Sequence, residues 1–591
     1  MCGICGEITR RGHQPSVAAV EKMTATMVSR GPDDVGMLVR DGMAFGHRRL
    51  SIIDLSTHAQ QPMIDNGLGL GIVYNGEIYN YRELRDELIG KGYSFFSHGD
   101  TEVILKAYHA WGEACVERFR GMFAFALWER DSGRVFCARD RLGIKPFYYV
   151  NLDSGGFRFS SSLPALVQAG NVDTSIDPVA LHHYMSFHSV VPPPHTILNG
   201  VRKLAPATTL TLEPNGQRRE RCYWEIAYEP QPDDVARPFD DWQELTLDVL
   251  RRAVQRRLVA DVPVGVLLSG GVDSSLIVGL LAEAGQHGLQ TFSIGFESVN
   301  NEKGDEFEYS DSIAERFETT HHKLSVDAAR TLPSMEACVA AMSEPMVSHD
   351  VIGFFLLSQE VAKHVKVVQS GQGADEVFGG YHWYPPMMNA ADPVAEYASV
   401  FCDRDHQEFC EAVQPAFIDR DFSREFIASR FAQPGAENGA NKALRMDTHV
   451  MLVDDPVKRV DNTSMAWGLE ARVPFLDHEV VELAARMPPE LKIAEGGKHI
   501  LKEAARHVIP SEVIDRPKGY FPVPALKYLR GDYLNWVTDI LQQPQAQSRG
   551  VFNRRYVDQL LKDPESHITP LRGSKLWQIA LFEYWFQVQG I

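Results

Sequence analysis

Two hydrophobic periodicities divide the chain. Up to about residue 205, short runs alternate between apolar and polar positions. Ala44–Asp54 and Gly69–Asn75 read as strands, while Tyr81–Lys91 and Glu102–Trp111 carry apolar residues at a spacing near 3.6 and predict helices. Gly121–Trp128 and Arg134–Ala138 predict a hairpin turning at Asp131–Gly133, continued as a meander through Phe157–Ser160. The pattern is mixed α+β with antiparallel sheets. From residue 241 the rhythm changes. Trp242–Val259 predicts a helix, Val262–Leu268 a strand, Ser274–Ala284 a helix and Thr291–Phe296 a strand. Asp311–Phe317 and Val351–Lys363 predict helices, and His364–Gln369 a strand. Strands alternating with helices imply a parallel α/β sheet. Beyond about residue 381 helices dominate, with no clear strand. Between the two regions, Pro206, Pro214, Pro230, Pro232 and Pro238 mark a boundary. The expected organisation is a domain over 1–205, a linker over 206–240 and a second domain over 241–591, without repeats or low-complexity tracts.

Composition narrows the class. Of 591 residues 44% are hydrophobic and 23% charged, ordinary for a folded globular protein with large cores. The net charge of −19 disfavours nucleic acid as a partner, because such proteins usually present a basic face. No apolar run approaches a membrane span; Ser274–Gly285 is among the greasiest and is too short. Eight dispersed cysteines read as reduced thiols of a cytoplasmic protein rather than a disulfide scaffold. The N-terminus lacks the long apolar segment of a secretory signal.

Candidate chemistry begins at Met1-Cys2-Gly3-Ile4-Cys5-Gly6. Once Met1 is removed, the α-amine of Cys2 can act as base for its own thiol. The two groups have reference pKa values of roughly 8 and roughly 8.5, so a shared proton is plausible near neutrality. The thiolate can then attack an amide and form a thioester. The other readings are a buried cysteine or a CxxC metal or redox pair. A structural zinc site needs four ligands, and the chain has no second CxxC. Four further segments bear on this choice: Arg30-Gly31-Pro32-Asp33; Gly46-His47-Arg48-Arg49-Leu50-Ser51; Tyr74-Asn75-Gly76-Glu77-Ile78-Tyr79-Asn80; and Gly99-Asp100-Thr101-Glu102. Singly they read as a surface arginine, an Asn-Gly turn or an N-cap aspartate. They also offer a guanidinium suited to a carboxylate, an amide donor, and two acids.

A second constellation lies at Val266-Leu267-Leu268-Ser269-Gly270-Gly271-Val272-Asp273-Ser274-Ser275. An apolar strand ends in Ser-Gly-Gly and a helix begins at Ser274. Such a turn lets backbone approach phosphates at a helix N-terminus, with Asp273 placed for Mg²⁺. The GxxxxGK[ST] spacing of a Walker loop is absent.

In this order after Cys2, the first set resembles the class II glutamine amidotransferase domain over roughly residues 1–200. The resemblance implies an N-terminal-nucleophile hydrolase sandwich of αββα layers. It implies that Arg49 holds the glutamine α-carboxylate and that Glu77 and Asp100 hold its α-ammonium. It places the Asn75 side chain and the Gly76 N–H in an oxyanion hole. The second set resembles the PP-loop ATP pyrophosphatases, which adenylate a carboxylate and release pyrophosphate. It implies an ATP site at Leu267, Ser269, Gly270, Gly271, Asp273, Ser274, Ile294, Ser370 and Gly371. Val367-Val368-Gln369-Ser370-Gly371-Gln372-Gly373-Ala374-Asp375-Glu376 supports it, with Asp375 as a second metal ligand and Glu376 beside it. Further on, Ser464-Met465-Ala466, Leu469 to Asp477 and Arg516-Pro517-Lys518-Gly519 each read singly as core or solvated charge. Lys518 is the candidate for neutralising pyrophosphate or the acyl-adenylate.

Together the two sets resemble the glutamine-hydrolysing asparagine synthetases: a sandwich followed by an α/β PP-loop domain with a helical C-terminal extension. The resemblance implies glutamine, ATP, Mg²⁺ and a small carboxylate acceptor, with ammonia passing through an internal tunnel. It leaves the oligomeric state open, a homodimer included. Asparagine synthetases carry an acid at the position of Gln372, and a neutral amide there cannot act as a base. Gln372 and Glu376 are therefore the residues expected to mark the acceptor or intermediate site. His182-His183-Tyr184-Met185-Ser186-Phe187-His188, Val191 to Pro194 and the run from Gly371 to Pro385 resemble a bacterial branch of that family, the N-acetylglutaminylglutamine amide synthases. That branch amidates an acetylated dipeptide used as an osmoprotectant. Aspartate as acceptor, and a non-catalytic glutamine and nucleotide sensor, are the alternatives.

Overall fold

The computed structural model describes residues 2–10, 12–296, 306–516 and 529–591. Period-two alternation builds the first half. One six-stranded sheet comprises β1 (Gly3–Ile8), β2 (Asp34–Arg40), β3 (Met43–Arg49), β8 (Tyr148–Asn151), β9 (Phe157–Ser160) and β10 (Arg202–Lys203), in the order β10-β8-β9-β1-β3-β2. The other comprises β4 (Met63–Asp65), β5 (Leu70–Ile78), β6 (Gly121–Glu129), β7 (Val135–Arg139), β11 (Thr208–Leu212) and β12 (Arg218–Cys222), in the order β12-β11-β7-β6-β5-β4. Successive side chains point to opposite faces. Ile4, Phe45, Val73, Ala124, Ala126 and Phe159 therefore meet in one core between the sheets. Their neighbours Cys5 and Ala44 pack instead with Val20, Met23 and Leu163 on helices outside the first sheet. Ile72, Tyr74, Phe123 and Phe125 pack with Leu84, Leu88 and Val103 on helices outside the second. The layers are αββα.

The stretch read as a linker over 206–240 holds β11 and β12. Their backbone groups are used by the second sheet: β11 pairs with β7, and β12 closes the edge against β11. The connection that follows runs from Tyr223 to the helix Phe239–Arg256.

The second half carries a parallel sheet of β13 (Val264–Leu267), β14 (Gln290–Phe296), β15 (Thr320–Val326), β16 (Val367–Gln369) and β17 (Glu470–Arg472). The order β15-β14-β13-β16-β17 reverses direction at β13. A crevice at the carboxyl ends of β13 and β16 is where open α/β sheets bind ligands. β17 corrects the expectation of no strand beyond residue 381. The remainder is helical and ends in Lys575–Gln589, which buries Trp577 and Trp585. Tyr79, Met122, Leu142 and Ile144 of the first half share one core with Val266, Leu452 and Phe475 of the second, so the halves meet through an apolar seam. Among the described residues no helix is long and apolar enough to cross a membrane. All eight cysteines are free.

Candidate active sites

Cys2 sits just ahead of β1, which runs antiparallel to β3. Its backbone N–H donates to Asn75 Oδ1 at 2.9 Å, and its thiol lies 3.9 Å from the Leu50 carbonyl. Only 8% of Cys2 is exposed. Burial raises the thiol's pKa, while Arg49 is close enough to oppose that rise and Glu77 to add to it. With Oδ1 occupied, the buried Asn75 Nδ2 has no acceptor among the described residues. An open buried donor is a place where an incoming oxygen acceptor would be satisfied. Gly76 follows Asn75 on β5.

Arg49 and Glu77 lie close enough to act on the charge of this thiol, and Asp100 on that of Glu77. Arg49 donates from Nη1 to the Ser56 carbonyl at 3.0 Å and from Nη2 to the Asp54 carbonyl, which fixes the guanidinium. Asp100 Oδ2 accepts from the Tyr74 hydroxyl at 2.8 Å and from the Ile78 N–H at 3.0 Å. Glu77 is buried, and its Oε2 accepts no hydrogen bond among the described residues. Burial first, and then Glu470, pushes the Glu77 carboxyl well above the usual carboxylate range. Burial likewise raises Asp100. Two crowded acids in a dry site gain from an ammonium, which would restore both to the charged form.

β17 reaches this site from the other half. Arg472 Nη2 lies 3.6 Å from Glu77 Oε1, and its Nε donates to Glu470 at 2.6 Å. Its Nη1 donates to the carbonyls of Arg257 and Val259, and its own carbonyl accepts from the Ser370 N–H at 2.8 Å. One residue therefore touches Glu77 with its side chain and the β16 turn with its backbone. Arg30 and Asp461 form a second buried tie between the halves, at 2.9 Å.

At the end of β13, Ser269 and Ser274 face one another with hydroxyl oxygens 3.1 Å apart, and the Gly271 N–H donates to Ser269 Oγ. Gly270 has φ +74°, and a Cβ there would lie 2.9 Å from Ser310 N, so this turn requires glycine. The β16 turn comes so close that a Cβ on Gly371 would lie 3.0 Å from Asp273 Cβ. Leu267, Ile294, Ser370 and Gly371 gather at the adjacent strand ends. Lys498 joins the two turns: its Nζ lies 2.7 Å from Asp273 Oδ2 and 2.9 Å from Asp375 Oδ2. Burial opposes its charge, but the two carboxylates hold its pKa above the ordinary lysine value. Asp273 and Asp375 are hard oxygen donors of the kind Mg²⁺ prefers.

Lys498 was not foreseen. Its signal was Gly496-Gly497-Lys498 immediately before the helix His499–Ala505. Lys518 lies outside the described residues. Arg516, two positions earlier, places Nη2 3.6 Å from where a Cβ on Gly271 would stand. Gln372 is partly exposed in the β16 turn. Glu376 is buried on the helix Ala374–Phe378 and accepts from the Tyr381 hydroxyl at 2.7 Å.

Sequence comparison agrees with both halves. The glutamine amidotransferase domain family matches residues 1–224, and the asparagine synthase family matches residues 245–587. The chain belongs to the asparagine synthetase family. It is 31% identical to asparagine synthetase [glutamine-hydrolyzing] 1 of Bacillus subtilis, across 100% of this chain and 97% of that protein. It is 30% identical to asparagine synthetase [glutamine-hydrolyzing] 3 of the same organism, across 100% and 99%. Amidase chry2 of Gibberella zeae is 27% identical across 93% of each chain. The protein is accordingly an ATP-dependent carbon–nitrogen ligase with glutamine as nitrogen donor.

In this ligase, burial first and then Asp375 raise Glu376 to a pKa of about 7, against a reference of 4.5. The folded chain therefore keeps a proton that the unfolded chain loses across that interval. Stability should fall as pH rises from 4.5 to 7, by about 3 kcal/mol from this group. Glu376→Gln should remove that part of the slope. Urea midpoints of both proteins across the interval check it; parallel slopes would refute it.

Proposed function

We propose that Cys2 is the nucleophile that releases ammonia from glutamine, that Asn75 and Gly76 hold the oxyanion, and that Arg49, Glu77 and Asp100 hold the amino-acid end. The supporting observation is the unpaired Asn75 Nδ2, on the side chain whose Oδ1 accepts the Cys2 N–H. Ser269, Gly270, Gly271, Ser274, Ser370 and Gly371 would cradle the nucleotide, with Leu267 and Ile294 beside the adenine. Asp273 and Asp375 would hold Mg²⁺, which when bound screens the phosphate charge. Lys498 would meet the leaving pyrophosphate or the acyl-adenylate. Ammonia would cross at the apolar seam, since a neutral molecule crosses apolar walls at little cost while ammonium does not.

For the acceptor, we propose the carboxylate of N-acetylglutaminylglutamine. Aspartate brings an α-ammonium that asks for an acid, whereas an N-acetylated dipeptide brings none, and Gln372 is neutral. With ATP, Mg²⁺ and glutamine, the dipeptide should yield its amide and AMP at least about tenfold faster than aspartate yields asparagine, a difference of about 1.4 kcal/mol in the barrier. Mass detection of both products measures this. Faster asparagine formation would overturn the acceptor and leave the ligase assignment intact.

A further inference from the structure

Away from both reaction sites, three side chains from separate parts of the chain converge. His182 lies on the helix Pro178–Ser186, His406 begins the helix His406–Ala412, and Asp421 caps the helix Phe422–Phe431. We propose that His182, His406 and Asp421 bind one divalent first-row transition metal ion, zinc foremost, which ties the glutaminase half to the helical region.

The geometry is that of a ligand set. His182 Nε2 faces His406 Nδ1 at 3.1 Å, and Asp421 Oδ1 lies 3.8 Å from the same Nε2. All three donor atoms lie within 4.8 Å of one another. Tetrahedral zinc with bonds of about 2.0–2.1 Å places neighbouring donors about 3.3 Å apart, so small side-chain movements complete the site. The outer contacts fit as well. His182 Nδ1 lies 2.9 Å from Ser423 Oγ, and that hydroxyl lies 3.1 Å from His183 Nδ1. An N–H on His182 Nδ1 donating to Ser423, whose hydroxyl donates on to His183, leaves a lone pair on Nε2 directed at the site. His406 Nε2 lies 3.6 Å from Cys410 Sγ, a weak acceptor for the Nε2–H of the tautomer that leaves the Nδ1 lone pair free for the ion.

The surroundings suit an ion that enters from solvent. Phe409 packs on His182 with ring centroids 4.3 Å apart, and Phe422 lies edge-on. His182 is 1% exposed, whereas the Asp421 side chain is 31% exposed, which leaves room for water as a fourth ligand. Asp421 Oδ1 also accepts the Arg424 N–H at 3.0 Å, and a carboxylate oxygen has lone pairs for both. Two imidazoles and a carboxylate form a donor set that zinc prefers over magnesium.

The test titrates the chelator-treated full-length enzyme with Co²⁺ alone. The wild type should develop the visible d–d absorption of low-coordinate cobalt, saturating at one ion per chain and abolished by Zn²⁺. His406→Gln and Asp421→Asn should each lose the band while keeping native circular dichroism. His499→Gln, in the separate set Glu495, His499 and Glu503, should keep it. Zn²⁺ should raise the thermal midpoint of the wild type and of neither ligand variant. No band in the wild type, a band surviving in both ligand variants, or one lost with His499 would each overturn the proposal.

Discussion

Cys2→Ala is expected to lower glutamine-dependent amide formation by at least about 10³-fold, the scale of losing a covalent nucleophile. Synthesis from added ammonium should stay within about twofold of wild type. The asymmetry follows from the layout. Cys2 contacts Asn75 and Leu50 within the first half, whereas the glycine turns after β13 and β16 and Lys498 belong to the second. Alanine keeps the backbone N–H that donates to Asn75 and removes only sulfur. Burial raises the thiol, and in the proposed reaction an amine freed by removal of Met1 takes its proton. A variant retaining an extra residue ahead of Cys2 should therefore behave like Cys2→Ala. Glutamate release and amide formation are assayed with each nitrogen source. Loss of both activities together would mean that the sites do not work separately.

The first half was legible because each sheet has a face toward the other sheet and a face toward helices. The alternation of Val73 with Ile72 and Tyr74 records that arrangement directly. β12 was hidden for the opposite reason. Arg-Arg-Glu-Arg-Cys reads as a polar linker, yet charged residues suit an edge strand because they discourage further pairing. β17 was hidden by burial of charge. Glu470 and Arg472 look like solvated groups in sequence, and both are fully buried, with Arg472 paired to Glu470 and 3.6 Å from Glu77. Such a pairing depends on strands about 400 positions apart, and no local pattern records it. The Ser-Gly-Gly turn was legible because the left-handed backbone at Gly270, against Ser310, demands glycine. Lys498 carried only its two glycines as a signal, and its role depends on two aspartates from distant turns.

Lys498→Ala is expected to lower amide synthesis about 10²- to 10³-fold with glutamine and with ammonium alike, the scale of removing one charge that stabilises a transition state. Glutamine hydrolysis should persist. Among the described residues Lys498 Nζ lies 2.7 Å from Asp273 and 2.9 Å from Asp375 where the two strand ends meet, so its loss removes a positive charge from between two carboxylates. In the proposed reaction those carboxylates would hold Mg²⁺, and the same ammonium would then be available to the negative charge of the phosphates. Its place at the start of the helix His499–Ala505, in a left-handed conformation after two glycines, aims the side chain into the crevice. Lys498→Arg should recover little, because a planar guanidinium cannot replace a compact ammonium between two carboxylates so close. Pyrophosphate and AMP release, measured beside glutamate release in the same sample, separates loss of chemistry from loss of fold. Synthesis near the wild-type rate in Lys498→Ala would assign the charge-stabilising role to another cation.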